Sequence, residues 1–581
     1  MKQLFLVILL GLAHWGSAQK KVVDVSINLK DVKNGICKVV VTPPGDSDVS
    51  SIQFPKSVPG AYEIEDFSKY ILSPGVKLAN GNWVEAERNG NAFSWEGTDV
   101  RELVYQCKQS NNPYGQILPE GTMFDAEKLL VNWNALVGYF EGKDLAYQIK
   151  LIKPREFFGA TSLSKKILND STDVFFANSY DELVHGPVLY AVPDTTSFTV
   201  GESNFTISCY STSPRLKSAS IRKRLEPAIR KCVEVSKHVP ENYNFIYLID
   251  DFKIANGIIA LEHPKSSVTI YSSSYNDSSA MVTTSIHELC HSLFTPLFIR
   301  SKQMSEFNYS EPECDQHLWF YEGVVEYLST KLCLQAGAID TTGFVRSLHS
   351  YKINMENTKL SDLSRNIYSK MGKKHFMNMY AKGSLVAYLL DLELIEKSDS
   401  RMSLLTLMQK MQDYQSEKGD FNAMSFFDLL SELSGVDLHA FFDSYVDSKT
   451  KIDFNENLKR IGCRIETIPY DTLAYSYNIK AFTYNPKSDR NYFVVKNSDL
   501  NRQTGIKNLQ ITKIDGEPFN AKLVNSLIYP DKSQQSITYL DGGKETTYKV
   551  SARKERRTFF NRKVSNIASP NPKVRDYYWL H

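Results

Sequence analysis

Ile286-His287-Glu288-Leu289-Cys290-His291 carries the pattern H-E-x-x-H. On a helix, residues four apart project from one face, so His287 and His291 present two imidazoles side by side. Two such rings can grip one Zn²⁺, and Glu288 beside them can take a proton from a water at the metal. Two histidines and a glutamate at this spacing arise by chance in long chains, so the surrounding sequence decides. Downstream, Leu318-Trp319-Phe320-Tyr321-Glu322-Gly323-Val324-Val325-Glu326-Tyr327 has the pattern of a second amphipathic helix. Glu322 completes a set of two histidines and one glutamate, the count of protein ligands in a catalytic zinc site. Glu326 lies one helical turn further on. It is placed to accept a hydrogen bond from the outer nitrogen of a ligand histidine, fixing its tautomer. Cys290, between the histidines, reads as a small buried core residue.

The remaining sequence frames this centre. A chain of 581 residues is too long for one core, and three domains are expected. The net charge of +2 gives no argument for nucleic acid or for an anionic membrane. Lys2, the apolar run Leu4 to Ala13 and the small residues Gly16-Ser17-Ala18 predict a signal peptide over 1–18, cleaved after Ala18. That run is too short to span a bilayer and no later segment is long enough. The expected protein is therefore exported, to the periplasm or beyond, with no membrane span. Eight cysteines without a C-x-x-C pattern leave any pairing unreadable.

The predicted fold class is α+β multidomain. Residues 19–195 read as a β-rich domain, with alternation in Val22-Val23-Asp24-Val25-Ser26-Ile27 and recurrent turn signals. A β-sandwich or large open sheet is expected there. Strands near 205–211 and 244–249 flank a helix over about 218–238. From about 279 the period becomes helical, with helices expected at 280–294, 315–335, 379–396, 401–414, 424–433 and 437–448. Together 196–450 form the domain carrying the histidine motif. From 451 to 581 strand patterns return, most clearly in Asn508 to Pro518. The basic run Arg553-Lys554-Glu555-Arg556-Arg557 reads as a solvated face.

The segment His287 to Tyr327 resembles the glycyl aminopeptidase family of zinc metallopeptidases, a branch of the gluzincins. The long spacing to W-x-x-E-G separates it from the aminopeptidase N-like family. Further motifs follow in family order. Phe54-Pro55-Lys56-Ser57-Val58-Pro59-Gly60-Ala61-Tyr62, with Asp66-Phe67, looks like the P-G-x-Y segment. Ala260-Leu261-Glu262-His263-Pro264-Lys265-Ser266-Ser267 looks like G-L-E-H-x-x-S, and Tyr380-Ala381-Lys382-Gly383 like Y-x-K-G. The resemblance spans most of residues 50 to 450 and thins on either side.

It implies a thermolysin-like zinc peptidase domain and a PDZ-like C-terminal domain, of which Ile511 to Phe519 resembles a weakened piece. It also implies roles. Glu262, on an edge strand, would bind the α-ammonium of a peptide by a charge-assisted hydrogen bond. Tyr380 would donate to the developing oxyanion. Lys382 and Gly383 would position their helix, and His263 is given no role. The sequence departs from the family at Ile259-Ala260, which replaces Gly-Gly, and at His185-Gly186-Pro187, which replaces Asp-Ser-Pro. The C-terminal module lacks a G-L-G-F-like loop. The resulting expectation is an exported zinc aminopeptidase acting on peptides, with small N-terminal residues such as Gly or Ala favoured by the resemblance alone. An endopeptidase, with no need of Glu262, and an inactive peptide-binding scaffold stand beside it. The intact Glu288 weighs against the scaffold.

Overall fold

Strand alternation sets the N-terminal architecture. Along Val22–Lys33, Val23, Val25, Ile27 and Leu29 are buried while Asp24 and Ser26 face out, the period of two that covers one face of a sheet. This strand lies inside an eight-stranded sheet, parallel to Ala146–Ile152 on one side and antiparallel to Ile36–Thr42 on the other. A four-stranded and a three-stranded sheet accompany it, and one apolar core runs beneath, from Val23 to Tyr190, with Trp133 and Phe54 fully buried. The computed structural model describes residues 20–44, 49–97, 99–110, 119–142, 144–252, 257–273, 278–294, 301–354, 358–477, 479, 481–485, 492–496, 498–518, 527 and 530–580. The expected signal peptide and Phe519 lie outside these residues.

A five-stranded sheet follows, ordered Thr195–Val200, Ser203–Ser211, Asn242–Asp250, Ser266–Ser272 and Ile258–His263. Its central strands are parallel, joined by the helix Ser218–Val235. Ile258–His263 runs antiparallel at the edge and carries Glu262. The helical region begins with Ser278–Phe294, which holds the histidine motif, and continues with Leu318–Gln335, which holds Glu322 and Glu326. Asn378–Lys397 carries Tyr380. The later helices expected near 401, 424 and 437 run Leu404–Lys418, Phe426–Ser434 and His439–Tyr445.

Two compact units divide the chain. The first holds the chain up to Phe454 and takes in the C-terminal helix from Lys573, and the second is Asn455–Pro572. In the first, Tyr578 of the helix Pro572–Leu580 is 1% exposed, and its hydroxyl lies 2.8 Å from that of Tyr327. Tyr327 donates to Asp391, which also pairs with Lys331 at 2.9 Å. The second unit contains a six-stranded antiparallel sheet over a small core of Val495, Leu509, Ile511, Ile537 and Val550. It also contains the two-stranded ribbon Cys463–Ser476 with Arg553–Asn566. Arg553, Lys554 and Arg556 of the basic run are exposed. No helix among the described residues is long and apolar enough to cross a membrane.

Candidate active site

The helix of the histidine motif is tied to the five-stranded sheet by its own hydroxyls. Ser292 Oγ donates to the carbonyl of His263 at 2.9 Å, and Ser285 Oγ meets Tyr247 Oη at 2.5 Å. His287, Glu288 and His291 are all buried, and Glu288 and His291 come within 4.8 Å of Glu262 on the edge strand. Cys290 points into the core, fully buried and hydrogen-bonded to Cys232.

The helix with the two glutamates is buried nearly all round, packed between the motif helix and the tyrosine helix. Its approach to the tyrosine helix is set by two glycines. A Cβ on Gly323 would stand 2.4 Å from the carbonyl carbon of Gly383, and one on Gly383 would stand 3.0 Å from Gly323 Cα. Backbone thus touches backbone at the crossing, which gives the glycines of W-x-x-E-G and Y-x-K-G one shared purpose. Lys382 anchors the same helix, its ammonium donating to the carbonyls of Thr358 at 2.5 Å and Ser448 at 2.8 Å.

Three donor atoms converge at this crossing. His287 Nε2 lies 3.0 Å from His291 Nε2, and Glu322 Oε2 lies 3.5 and 3.4 Å from them. A zinc ion about 2.0–2.1 Å from each of three tetrahedral donors sets those donors about 3.4 Å apart. The triangle therefore fits one such ion. Glu326 Oε2 sits 2.8 Å from His287 Nδ1. A proton on Nδ1, facing that carboxylate, would leave the Nε2 lone pair turned inward. A second set of carboxylate and imidazole atoms, from Glu262, Glu288 and His291, also comes within 4.8 Å of one another in the same cavity. It offers only one imidazole and shares His291 with the first.

Charge in this enclosed space is lopsided. Burial pushes the Glu288 carboxyl up to about 8, with neighbouring Glu262 and Glu322 adding to the rise against the pull of the histidines. Burial raises Glu262 as well. Glu322 is also buried, but His291 and His287 outweigh that and hold it well below the usual carboxylate range. Burial disfavours charge on His287, but its bonds to Glu322 and Glu326 drive its pKa far up. Four carboxylates around two imidazoles are a strong demand for cations, of the kind a divalent metal and a peptide ammonium would meet. Tyr380 is half-buried; desolvation, and then Glu322, Glu262 and Glu288, hold its phenol protonated and hence a donor. Its ring lies 5.8 Å from that of His287.

Two residues from the N-terminal sheet region also reach the site, and sequence reasoning gave them no role. Gly60, at φ +86°, passes so close to Glu262 that a Cβ would stand 2.5 Å from its Oε1. Tyr62, at φ 51°, is half-buried within the electrostatic reach of Glu322, Glu262 and Tyr380. The P-G-x-Y match marks this segment, but nothing local in it signals a contact with a strand so distant in the chain. Beside Glu262 and His291 opens a cavity of about 420 Å³, also walled by Leu163, Phe307, Tyr321 and Tyr368.

Residues 24–192 match the family model described as Peptidase M61 N-terminal domain, and residues 280–386 match that of M61 glycyl aminopeptidase. Two stretches of the chain are thus similar to the M61 glycyl aminopeptidase family. The match to the glycyl aminopeptidase model supports a metallopeptidase. The chain's fold is similar to that of an aminopeptidase N family protein from Idiomarina loihiensis. The TM-score is 0.70 at 18% identity, covering 96% of this chain and 100% of the other. An M1 zinc metallopeptidase from Deinococcus radiodurans is more distant, with a TM-score of 0.48 at 10% identity over 75% of this chain and 95% of that one. No curated protein matches the chain at the level of sequence.

Proposed function

We propose that this protein is a zinc-dependent aminopeptidase that releases N-terminal residues from peptides. The observation carrying the metal is the triangle of His287 Nε2, His291 Nε2 and Glu322 Oε2, with edges of 3.0 to 3.5 Å. Zinc held there would polarise the scissile carbonyl and lower the pKa of water. Glu326 holds His287 in the ligating tautomer.

Glu288 accepts the proton of the attacking water and passes it to the leaving amine. Tyr380 donates its phenolic hydrogen to the oxygen that gains charge as the carbonyl is attacked. Glu262 receives the α-ammonium at the end of the edge strand, where Gly60 presses against its carboxylate. A charged group so enclosed favours a chain end over a chain interior, because an internal peptide brings no cation to it.

Residues 1–18 are read as the export signal, 19–195 and 196–450 as the β-rich and thermolysin-like peptidase domains, and 451–581 as a PDZ-like domain with its tail. The support for the last is the strand-and-turn Leu509 to Pro518, within an antiparallel sheet.

Matched peptides with free and N-acetylated ends, incubated with zinc-loaded protein and read by mass spectrometry, test the function. Stepwise shortening from free ends alone is expected. Equal cleavage of acetylated peptides at internal bonds would make the protein an endopeptidase.

A further inference from the structure

We propose that the cavity beside Glu262 and His291 receives the side chain of the substrate's N-terminal residue, and that this protein favours large apolar or aromatic residues there over Gly and Ala. The inference rests on the aminopeptidase reading, since the position of the α-ammonium fixes where the side chain starts. With the ammonium on Glu262 and the carbonyl carbon at the His287–His291–Glu322 centre, the α-carbon between them borders the cavity wall. Glu262 and His291 both line that wall, whereas Glu288 and Tyr380 do not. The reacting groups therefore stand on another side of the α-carbon, and its substituent has this space open to it.

The cavity's size and chemistry select the substituent. At about 420 Å³ it falls within the roughly 300–1,000 Å³ of small-molecule sites, and a glycine would place nothing in it. Leu163, Met304, Phe307, Tyr321 and Tyr368 give it apolar and aromatic walls. The acidic groups in those walls are engaged by the protein. Asp181 accepts from Tyr309 Oη at 2.5 Å, and Glu182 accepts from Asn178 N at 2.6 Å. The imidazole nitrogens of His185 and His263 face each other at 3.3 Å, and burial holds His263 neutral. Lys265, an exposed residue of the lining, opposes a basic substituent. Apolar side chains remain the group that gains by leaving water for this space.

The walls come from both regions of the first unit: Gly60, Tyr62, Leu163 and His185 on one side, His263, Met304 and Tyr321 on the other. This explains why a small-residue preference does not follow from the zinc motifs, which contribute only His291 and Tyr321 to the lining.

The test is a series of peptides X-Ala-Ala-Ala with X as Gly, Ala, Leu, Phe, Arg or Glu, each free and N-acetylated, assayed with the zinc-loaded full chain. Phe and Leu are expected to exceed Gly in kcat/KM by roughly tenfold or more. Met304→Trp, which narrows the cavity, should lower the Phe-to-Gly ratio, and Met304→Leu should keep it. If free peptides alone are cleaved but Gly, Ala, Arg or Glu is preferred, the aminopeptidase reading stands and the cavity's role falls. If acetylated peptides are cleaved as well as free ones, both fall. The wild-type series decides even if Met304→Trp does not fold.

Discussion

Replacing Glu288 by Gln keeps the shape of the side chain and removes its capacity to accept a proton. The variant should fold, bind zinc as wild type does, and lose roughly 10²–10⁴ of its turnover. Metal content and single-turnover rates check this, and near-normal rates would remove Glu288 from the proton path. Tyr380→Phe acts on a different quantity. Its phenol is held protonated by burial and three carboxylates, so it is a donor throughout the working range. Removing it should lower kcat by about 3–4 kcal/mol of barrier with little change in KM, because the oxyanion exists only along the reaction path. A rise in KM at constant kcat would make Tyr380 a binding residue instead. The convergence of His287, His291 and Glu322 is legible in the sequence, because helical spacing puts His287 and His291, four residues apart, on one face. Gly60 was not, since its contact with Glu262 is made by tertiary packing between segments far apart in the chain.

Among elements, the crossing of the two helices that carry Glu322 and Tyr380 controls how ligand and donor face each other. Gly323 and Gly383 meet there, but with unequal room: an added Cβ at Gly323 would come to 2.4 Å of backbone, and at Gly383 to 3.0 Å. Overpacking a tight interface costs typically about 1–3 kcal/mol. Gly323→Ala should therefore fall at or above the upper end of that range and Gly383→Ala lower. Urea unfolding, read alongside zinc content, measures both, and equal costs would mean that the helices slide apart freely. The spans of these helices follow from their apolar periodicity, and the observed Ser278–Phe294, Leu318–Gln335 and Asn378–Lys397 lie close to the expected ranges. The order of strands around the N-terminal sheet was not readable, because alternation specifies a buried face but not a neighbour. The parallel pairing of Val22–Lys33 with Ala146–Ile152 is of that kind.

Across the whole molecule, the chain leaves the first unit after Phe454 and its last helix belongs to that unit again. Tyr578 on this helix packs against Phe344 and Tyr388 and lies over Lys331, with its ring centre 4.5 Å from the ammonium. Tyr578→Ala would open a cavity beside the buried Lys331–Asp391 pair. It should cost about 3–5 kcal/mol by analogy with other buried aromatic truncations. Thermal unfolding of full-length protein checks this, and an unchanged midpoint would mean that the helix adds nothing to the catalytic unit. This return was invisible in the sequence, where the final residues read only as a tail, since one short aromatic helix carries no label for its partner.

The metal position bears on every one of these roles, and the described residues of the first unit offer two overlapping carboxylate and imidazole sets that share His291. Diffraction from zinc-loaded crystals at the zinc absorption edge distinguishes them. The expected result is one anomalous peak about 2.0–2.2 Å from His287 Nε2, His291 Nε2 and Glu322 Oε2. A peak held instead by Glu262, Glu288 and His291 would take both the base and the ammonium site out of the proposed reaction and contradict it.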